Sequence, residues 1–359
     1  MTTRIVMADA GPGDALIVHI DDNPAMPWSA VIDGGPPGTA GQTLLPLLRT
    51  LTSSGSPPPA IDLLAVTHID NDHIGGIIEI VRAFNADILG MSIEHAWHNS
   101  FAAITNDRRL VRDASLRQHT FAAAARLADP GETRALVGSV TQGEDLTDLL
   151  TDAGLAGNAP FGTLLSAGQR AIWAPGPEIT IVGPSEAQLE RLRHRWNSHV
   201  NQQRNTELAA RIAATAIDQS VTNLASLVFL LEHGDQRILF TGDARGDRIV
   251  AQLRELNLLD RSGRITVDAL KVPHHGSARS CTPDLFTAVH ADHYLISGNG
   301  HNGNPSPITA QRLGKSLRGR TATVSLSHHV DDVIAVLGQY PNIECWLPED
   351  GDSGIAIEL

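Results

Sequence analysis

Apolar positions in this chain fall into short continuous runs separated by helically spaced sets. Runs at 4–8, 15–20 and 30–32 are each broken by Gly, Pro or Asp, which predicts short strands buried on both faces. Residues 42–51 (QTLLPLLRTL) read as a helix despite Pro46, and SSGSPPPA at 53–60 as a stiff, exposed linker. IDLLAV at 61–66 reads as a buried strand that runs into THIDNDHIGG. Beyond it, Ile74, Ile77, Ile78, Val81 and Phe84 recur every three or four residues, so one face of a helix is apolar. DILGMS at 87–92 is the next expected strand. Strand, helix and strand in so short a compass predict an α/β domain with a largely buried sheet.

The pattern changes over 95–158, which is rich in Ala, Arg and polar residues and reads as helical at 107–128 and 144–153. Residues 162–184 return to a strand hairpin, and 186–215 are helical with mixed charge. From 224 the strands resume, with LASLVFLLEHG and QRILFTGD forming a hairpin around Gly234-Asp235. A helix at 245–258, the strand leading into VPHHGS, the strand HYLIS, a Gly/Asn-rich loop at 298–307, a helix at 307–317, TATVSLS and two final strands follow. Chemistry-bearing segments lie on both sides of 95–220, so the reading is one domain over 1–359 with 95–220 as an elaboration inside it. That elaboration includes the hairpin, and its part at 95–158 is expected to form a helical cap over the ligand edge.

The charge balance narrows the partners. Lys and Arg number 27 against 40 Asp and Glu, a net charge of −13, which argues against gripping nucleic acid by bulk positive charge. Aromatics are 4% of residues and leave few stacking platforms for bases. Two cysteines exclude a disulfide framework and a four-thiolate zinc site. No apolar run has membrane-spanning length, and RIVMA at 4–8 reads as a strand and not a leader, so no membrane partner and a cytoplasmic location are the expectations. The pattern assigns no oligomeric state.

The candidate chemistry begins at His68, Asp70, Asp72 and His73, all within THIDNDHIGG at 67–76, between a strand end and a helix start. Imidazole and carboxylate at this density suit a divalent metal. A helix cap would use one of the two Asp residues and leave both histidines unexplained. Asp243 ends the strand ILFTGD, and His274 and His275 end another. Taken singly, a strand-final Asp starts many turns, and HHG suits a surface loop. Together with THIDNDH they place His and Asp at strand ends, as a site at a sheet edge requires.

These segments resemble the metallo-β-lactamase-fold hydrolases. More narrowly they are similar to the hydrolase domain of the bacterial competence (DNA-uptake) channel protein and its stand-alone relatives. The carrying pieces are DAGPGDALIV (9–18), VIDGG (31–35), THIDNDHIGG, LASLVFLLEHGDQRILFTGD (224–243) and LKVPHHGS (270–277). The resemblance implies an αββα sandwich of two mixed sheets flanked by helices, with residues 4–92 in the first sheet and most of 224–357 in the second. It also implies two divalent ions, Zn or Mn, at one edge. His68 and Asp70 would face the first ion, Asp72 and His73 the second, and Asp243 would bridge them. His274, first off its strand, is the expected remaining ligand of the second ion. His275 is the alternative ligand and otherwise a proton donor or phosphate contact.

Departures from the family pattern shape the rest. The loop before the TGD hairpin lacks the usual first-ion His and offers Asp218, Asn223 and Ser226, which predicts an oxygen-rich first site tilted toward Mn²⁺ or Mg²⁺. His301 stands upstream of Asn304-Pro305, where relatives carry His-Pro, so it is a candidate pocket residue or a plain loop surface. Lys271 and Arg279 are candidate substrate contacts, Asp33 a candidate support for a ligating His, and His95, Trp97 and His98 candidate pocket walls. The glycines of DAGPGD are expected to let that turn approach the metal loops. Cys281 reads as structural, and His328-His329 as surface. The implied activity is metal-dependent hydrolysis of phosphodiesters, in nucleotides or short nucleic acid, by water activated between the ions, with catalysis resting on Asp72, Asp243 and His275. A lactonase or β-lactamase-like hydrolase and a catalytically weak interaction module are the two alternatives.

Overall fold

The computed structural model describes residues 2–23, 25–52, 59–106, 132–162, 164–202 and 225–359. Its first half holds β1 (Thr3–Ala8), β2 (Ala15–Ile20), β3 (Trp28–Gly34), a wide helical turn at Ala40–Leu44 leading into α1 (Leu45–Thr52), β4 (Ala60–Ile61), β5 (Leu63–Ala65), α2 (Asn71–Asn85), β6 (Ser92–Ile93) and β7 (Ala96–Trp97). Next come α3 (Phe101–Thr105), α4 (Glu132–Asp152), β8 (Arg170–Ile172), β9 (Glu178–Gly183) and α5 (Glu186–Gln202). Then follow β10 (Val228–His233), β11 (Gln236–Phe240), α6 (Gly246–Glu255), β12 (Ile265–Lys271), α7 (Pro283–Ala288) and β13 (Val289–Ile296). The last elements are α8 (Pro307–Leu317), β14 (Ala322–Leu326), α9 (Asp331–Leu337), β15 (Ile343–Trp346) and β16 (Gly354–Glu358).

Two mixed sheets pack face to face. The first has the order β16-β1-β2-β3-β5-β7 and the second β15-β14-β13-β12-β11-β10-β9-β8. Strict alternation along doubly buried strands builds the layers. Ile5, Met7, Leu16 and Val18 of the first sheet join Phe229, Leu231, Ile238 and Phe240 of the second in the core between the sheets. Their neighbours Val6, Ala8 and Ile17 face outward against Leu48 of α1, Ile77, Ile80 and Val81 of α2, and Leu146 and Leu150 of α4. On the far side, Val228, Leu230 and Leu270 pack under α6, α7, α8 and α9. The architecture is thus the αββα sandwich. Among the described residues no helix is long and apolar enough to cross a membrane.

Two expectations change and one goes untested. Residues 87–92 do not form a strand: Asp87 (φ 57) and Gly90 (φ 71) take left-handed backbone, which breaks an extended run, and pairing resumes only at Ser92. β16 belongs to the first sheet, antiparallel to β1, and the β8–β9 hairpin extends the second sheet through β10. The helix expected over 107–128 lies outside the described residues.

α2 lies hard against the end of β3. A Cβ at Gly76 would collide with the Gly34 carbonyl oxygen, and one at Gly34 would collide with the Ile77 nitrogen. Gly76→Ala should therefore destabilise the fold by about 3 kcal/mol or more in urea unfolding. Gly41→Ala, where a Cβ meets nothing, should leave stability unchanged or slightly raised.

Candidate metal centre

The centre forms where β3, β5, β11 and β12 end together. Thr67, just past β5, donates its backbone N–H and its hydroxyl to the two oxygens of Asp33 at 2.7 and 2.6 Å. This fixes His68 next to it. Asp70 stands at the N-cap of α2, yet its carboxylate makes no capping bond and lies 3.5 Å from His68 Nε2. Asp72 and His73 occupy the first turn of α2. Beneath them a Cβ at Gly13 would collide with the Asp72 carbonyl oxygen, which accepts from Asp14 N–H at 3.1 Å. The glycine of DAGPGD does allow the close approach that the sequence suggests.

The second sheet supplies the opposite wall. Gly242 has φ 47 and presses on Thr67, where any side chain would clash, so Asp243 arrives next to His68. His274 N–H donates to Gly242 O at 3.0 Å. His274, His275 and Gly276 then take φ values of 53, 50 and 77, three left-handed residues in a row. Non-glycine residues pay a steric penalty in that region, and such strain gathers at functional sites. Here it points two consecutive imidazoles to opposite sides of one carboxylate.

Asp243 has one oxygen on each side. Its Oδ2 lies 3.6 Å from His68 Nε2 and 3.4 Å from His274 Nε2, and Asp70 completes that group. Its Oδ1 lies 3.5 Å from His73 Nε2 and 3.9 Å from His275 Nε2. In this second group His73 and His275 Nε2 are 3.3 Å apart, and Asp72 Oδ2 is 3.4 Å from His275 Nε2. Donors about 2.1 Å from a four-coordinate ion stand roughly 3.4 Å from one another, so the neighbouring pairs named in each group are at ligand spacing; His68, His73 and Asp243 also stand close enough together to share one ion. Asp243 Oδ1 and His68 Nε2 are buried without a hydrogen-bond partner, as atoms aimed at a cation would be. Asp14 also lies within reach of His73 and His275. It is already paired with the Lys271 ammonium at 2.7 Å and faces the Nδ1 side of both rings, so it supports them.

Both deeper rings are held from behind by carboxylates. Asp33 Oδ2 accepts from His73 Nδ1 at 2.8 Å, and Asp14 Oδ1 lies 3.1 Å from His275 Nδ1. A proton kept on Nδ1 leaves the Nε2 lone pair free toward the cluster. Burial alone would lower His68, but Asp243 and Asp70 outweigh it and raise it to about 10. Burial would raise Asp243 and Asp72, yet the imidazoles around them hold both below the usual carboxylate range. His274 is held below its ordinary value, first by burial. Asp70, Asp72 and His274 side chains are 33%, 32% and 30% exposed and form the open mouth of the centre.

Residues 12–205, over half of the chain, match the family model of the metallo-β-lactamase superfamily. The chain belongs to that superfamily. Its fold implies divalent metal binding, and its members are typically metal-dependent hydrolases. No curated protein sequence matches the chain. Among solved structures, the metallo-β-lactamase fold protein YhfI from Bacillus subtilis is similar over 100% of both chains, with 10% identity and a TM-score of 0.42. A putative metal-dependent hydrolase from Parabacteroides distasonis is similar over 96% of this chain and 99% of its own, with 9% identity and a TM-score of 0.33. A mutant of the β-hydroxylase CmlA is similar over 100% of this chain and 54% of its own, with 10% identity and a TM-score of 0.40.

Against this superfamily frame, several sequence assignments move. His274 was expected beside Asp72 and His73, but the left-handed turn sets its Nε2 on the Asp243 oxygen that also faces His68, and it is His275 that lies against Asp72 and His73. His275 is 4% exposed, with Nδ1 facing Asp14 and Ser297, so it is turned away from the proton-donor role. Lys271 is buried at 1% exposure and spent on Asp14 and the Val272 carbonyl, and so is no substrate contact. His301 is exposed in its loop and Arg279 is exposed, and neither joins the donor groups. Asp218 and Asn223 lie outside the described residues. Trp97 is fully buried with its indole N–H on Ala159 O at 2.9 Å, and Cys281 is buried. His95 is half-buried, its Nδ1 3.2 Å from Asp62 O. Asp14 escaped the sequence reading, and its only signal was its place closing DAGPGD.

His98 is buried too, and its Nε2 bonds Gly143 O of α4 at 3.0 Å. α4 thereby lies along the metal loop, with Gly143 against Ile69 and Gln142 donating to Asn71 Oδ1 at 2.7 Å. Burial lowers the His98 ring from 6.5 to about 4, so the unfolded chain binds its proton more readily than the folded one. The stability this histidine contributes is complete above pH 6.5 and falls as pH drops from there to about 4. His98→Gln keeps a donor for Gly143 and has no such titration. Between about pH 7.5 and about pH 4.5, wild type should lose on the order of 2 kcal/mol more unfolding free energy than the variant.

Proposed function

We propose that this chain is a two-metal hydrolase that cleaves phosphodiesters in a nucleotide or short nucleic acid. The observation that carries the reading is Asp243, whose two oxygens each face a separate group of imidazole and carboxylate donors. Divalent ions at such a pair supply Lewis acidity, activating water and neutralising charge on phosphoryl oxygens. His68, Asp70 and His274 would hold one ion, Asp72, His73 and His275 the other, and Asp243 both. Asp33 and Asp14 keep His73 and His275 in the tautomer that ligation needs. His274 gives the first group a second imidazole, so both groups have mixed donors that suit Zn²⁺ as well as Mn²⁺.

The substrate class is supported by the His-x-Asp-x-Asp-His signature at 68–73, which resembles the competence-type group, and by the open mouth at Asp70, Asp72 and His274. A lactonase or β-lactamase-like hydrolase is the second reading, favoured by α4 forming a wall at Ile69. The completeness of both donor groups argues against a catalytically inert module.

Metal occupancy tests the ligand assignment. Elemental analysis of reconstituted protein should find two Mn²⁺ or Zn²⁺ per chain, one in His274→Ala, one in His275→Ala, and neither held tightly in Asp243→Ala. The Mn²⁺-loaded wild type should show an exchange-coupled electron paramagnetic resonance signal, replaced in each single variant by that of an isolated ion. Retention of both ions in His274→Ala would return that residue to the substrate mouth.

The substrate panel is bis-p-nitrophenyl phosphate, short single-stranded DNA, a cyclic dinucleotide and nitrocefin, each with Mn²⁺ and Zn²⁺ separately. Cleavage of at least one phosphodiester is expected, with Asp72→Asn losing about a hundredfold or more. Nitrocefin turnover with no phosphodiester cleavage would move the assignment to the second reading.

A further inference from the structure

A second charged feature lies at the other end of the parallel strands. Arg264 precedes β12, His290 is near the start of β13, and Arg320 precedes β14. With Arg312 and Lys315 of α8, Arg318 at its C-cap and Thr287 of α7, they line a cavity of about 380 Å³. The lining contains no Asp or Glu. A chain with net charge −13 thus gathers five of its 27 Lys and Arg residues, and a histidine, around one space.

Local structure accounts for part of this. Lys315 and Arg318 complement the negative C-terminal end of α8. Arg312 Nη1 donates to Ala278 O and Cys281 O at 2.5 and 2.9 Å, tying α8 to the turn before α7. Arg264 and Arg320 have no such reason, since each comes from a strand start. Arg320 meets the Tyr294 hydroxyl, but its Nε and Nη2 are buried and hydrogen-bonded to nothing among the described residues. Its backbone is fixed on both sides, by Leu317 O and by Asn342 Nδ2. An unpaired guanidinium edge held in place this way is costly unless an acceptor arrives. The acid nearest Arg264 in sequence, Asp260, is engaged locally: its Oδ1 accepts from Ser262 N–H, Ser262 Oγ and Arg264 N–H at 2.7, 2.7 and 3.0 Å. His290 is held below its ordinary value by burial and then by Arg320 and Arg264, with Asp260 acting the other way.

We propose that this cleft binds a small phosphate-bearing polyanion, the size of a nucleotide or a short inorganic polyphosphate. The volume falls within the range of small-ligand sites. Guanidinium forks match phosphate oxygens two at a time, and several permanent cations around one space select multiple charges over a single carboxylate. The site is separate from the metal centre. β12 alone puts seven residues between Arg264 and the turn that bears His274, roughly 20 Å of extended chain.

Calorimetric titration of the metal-free, full-length chain tests the proposal, with tripolyphosphate, ADP and citrate as probes at physiological ionic strength. Without metal, the carboxylates of the centre repel these probes. Tripolyphosphate or ADP should bind one to one, and whichever is tighter distinguishes an inorganic from a nucleotide ligand. The double variant Lys315→Glu, Arg318→Glu, both exposed positions, should weaken binding at least tenfold, and Arg320→Gln should do so alone. Circular dichroism and thermal melting check that each variant folds. Asp243→Ala should bind as wild type does. Absence of binding, equal binding by the charge-reversed variant, citrate as tight as tripolyphosphate, or loss of binding in Asp243→Ala would each overturn it. Such a failure leaves the two-metal reading standing, because no metal enters the measurement.

Discussion

A buried carboxylate surrounded by four imidazoles is the interaction on which the rest of this molecule depends. Asp243 is 3% exposed, and His68, His73, His274 and His275 stand within 4 Å of its oxygens. A buried charge without compensation costs several kcal/mol, so Asp243 requires those rings, or the cations they would hold, to be in place. The two sheets are the means of delivery. The first carries His68 and His73 on the loop and helix that follow β5, and the second carries Asp243, His274 and His275 past β11 and β12. Close contacts between Thr67 and Gly242, and between Gly34 and Gly76, set the two groups at ligand distance.

How far the sequence could be read follows from how local each determinant is. β2 and α8 are legible to the residue, since a continuous apolar run ended by Asp21, or a Ser306 cap followed by Pro307, decides them within a few positions. The donors themselves are legible too, because no ordinary helix start needs two His and two Asp in six residues. What escaped was non-local. Nothing near Lys271 announces that its ammonium is neutralised by Asp14, from a turn at the far end of the chain. Strand alternation cannot choose between His274 and His275 either. The turn is left-handed at both, so neither follows the alternation of β12.

Sheet membership shows the same limit. The β8–β9 hairpin and β16 have unremarkable strand patterns, and pairing partners alone put one in the second sheet and the other in the first. Strand direction, by contrast, has consequences at both ends. β12, β13 and β14 run parallel, so their ends gather acidic and imidazole groups at one edge and guanidinium groups at the other.

The antiparallel pairing of β1 with β16 fixes an order of events during synthesis. Arg4 of β1 and Glu358 of the strand on its outer side, Gly354–Glu358, close an ion pair across that seam from 354 positions apart, so the first strand is made long before the second. The first sheet therefore keeps an open edge until Gly354–Glu358 has emerged. His68 and His73 likewise wait through some 200 residues of translation for His275, the partner 202 positions along the chain. Contacts this distant make folding slow and leave β1 exposed to other pairings in the meantime. The full set of donors can come together only after His275 has been made.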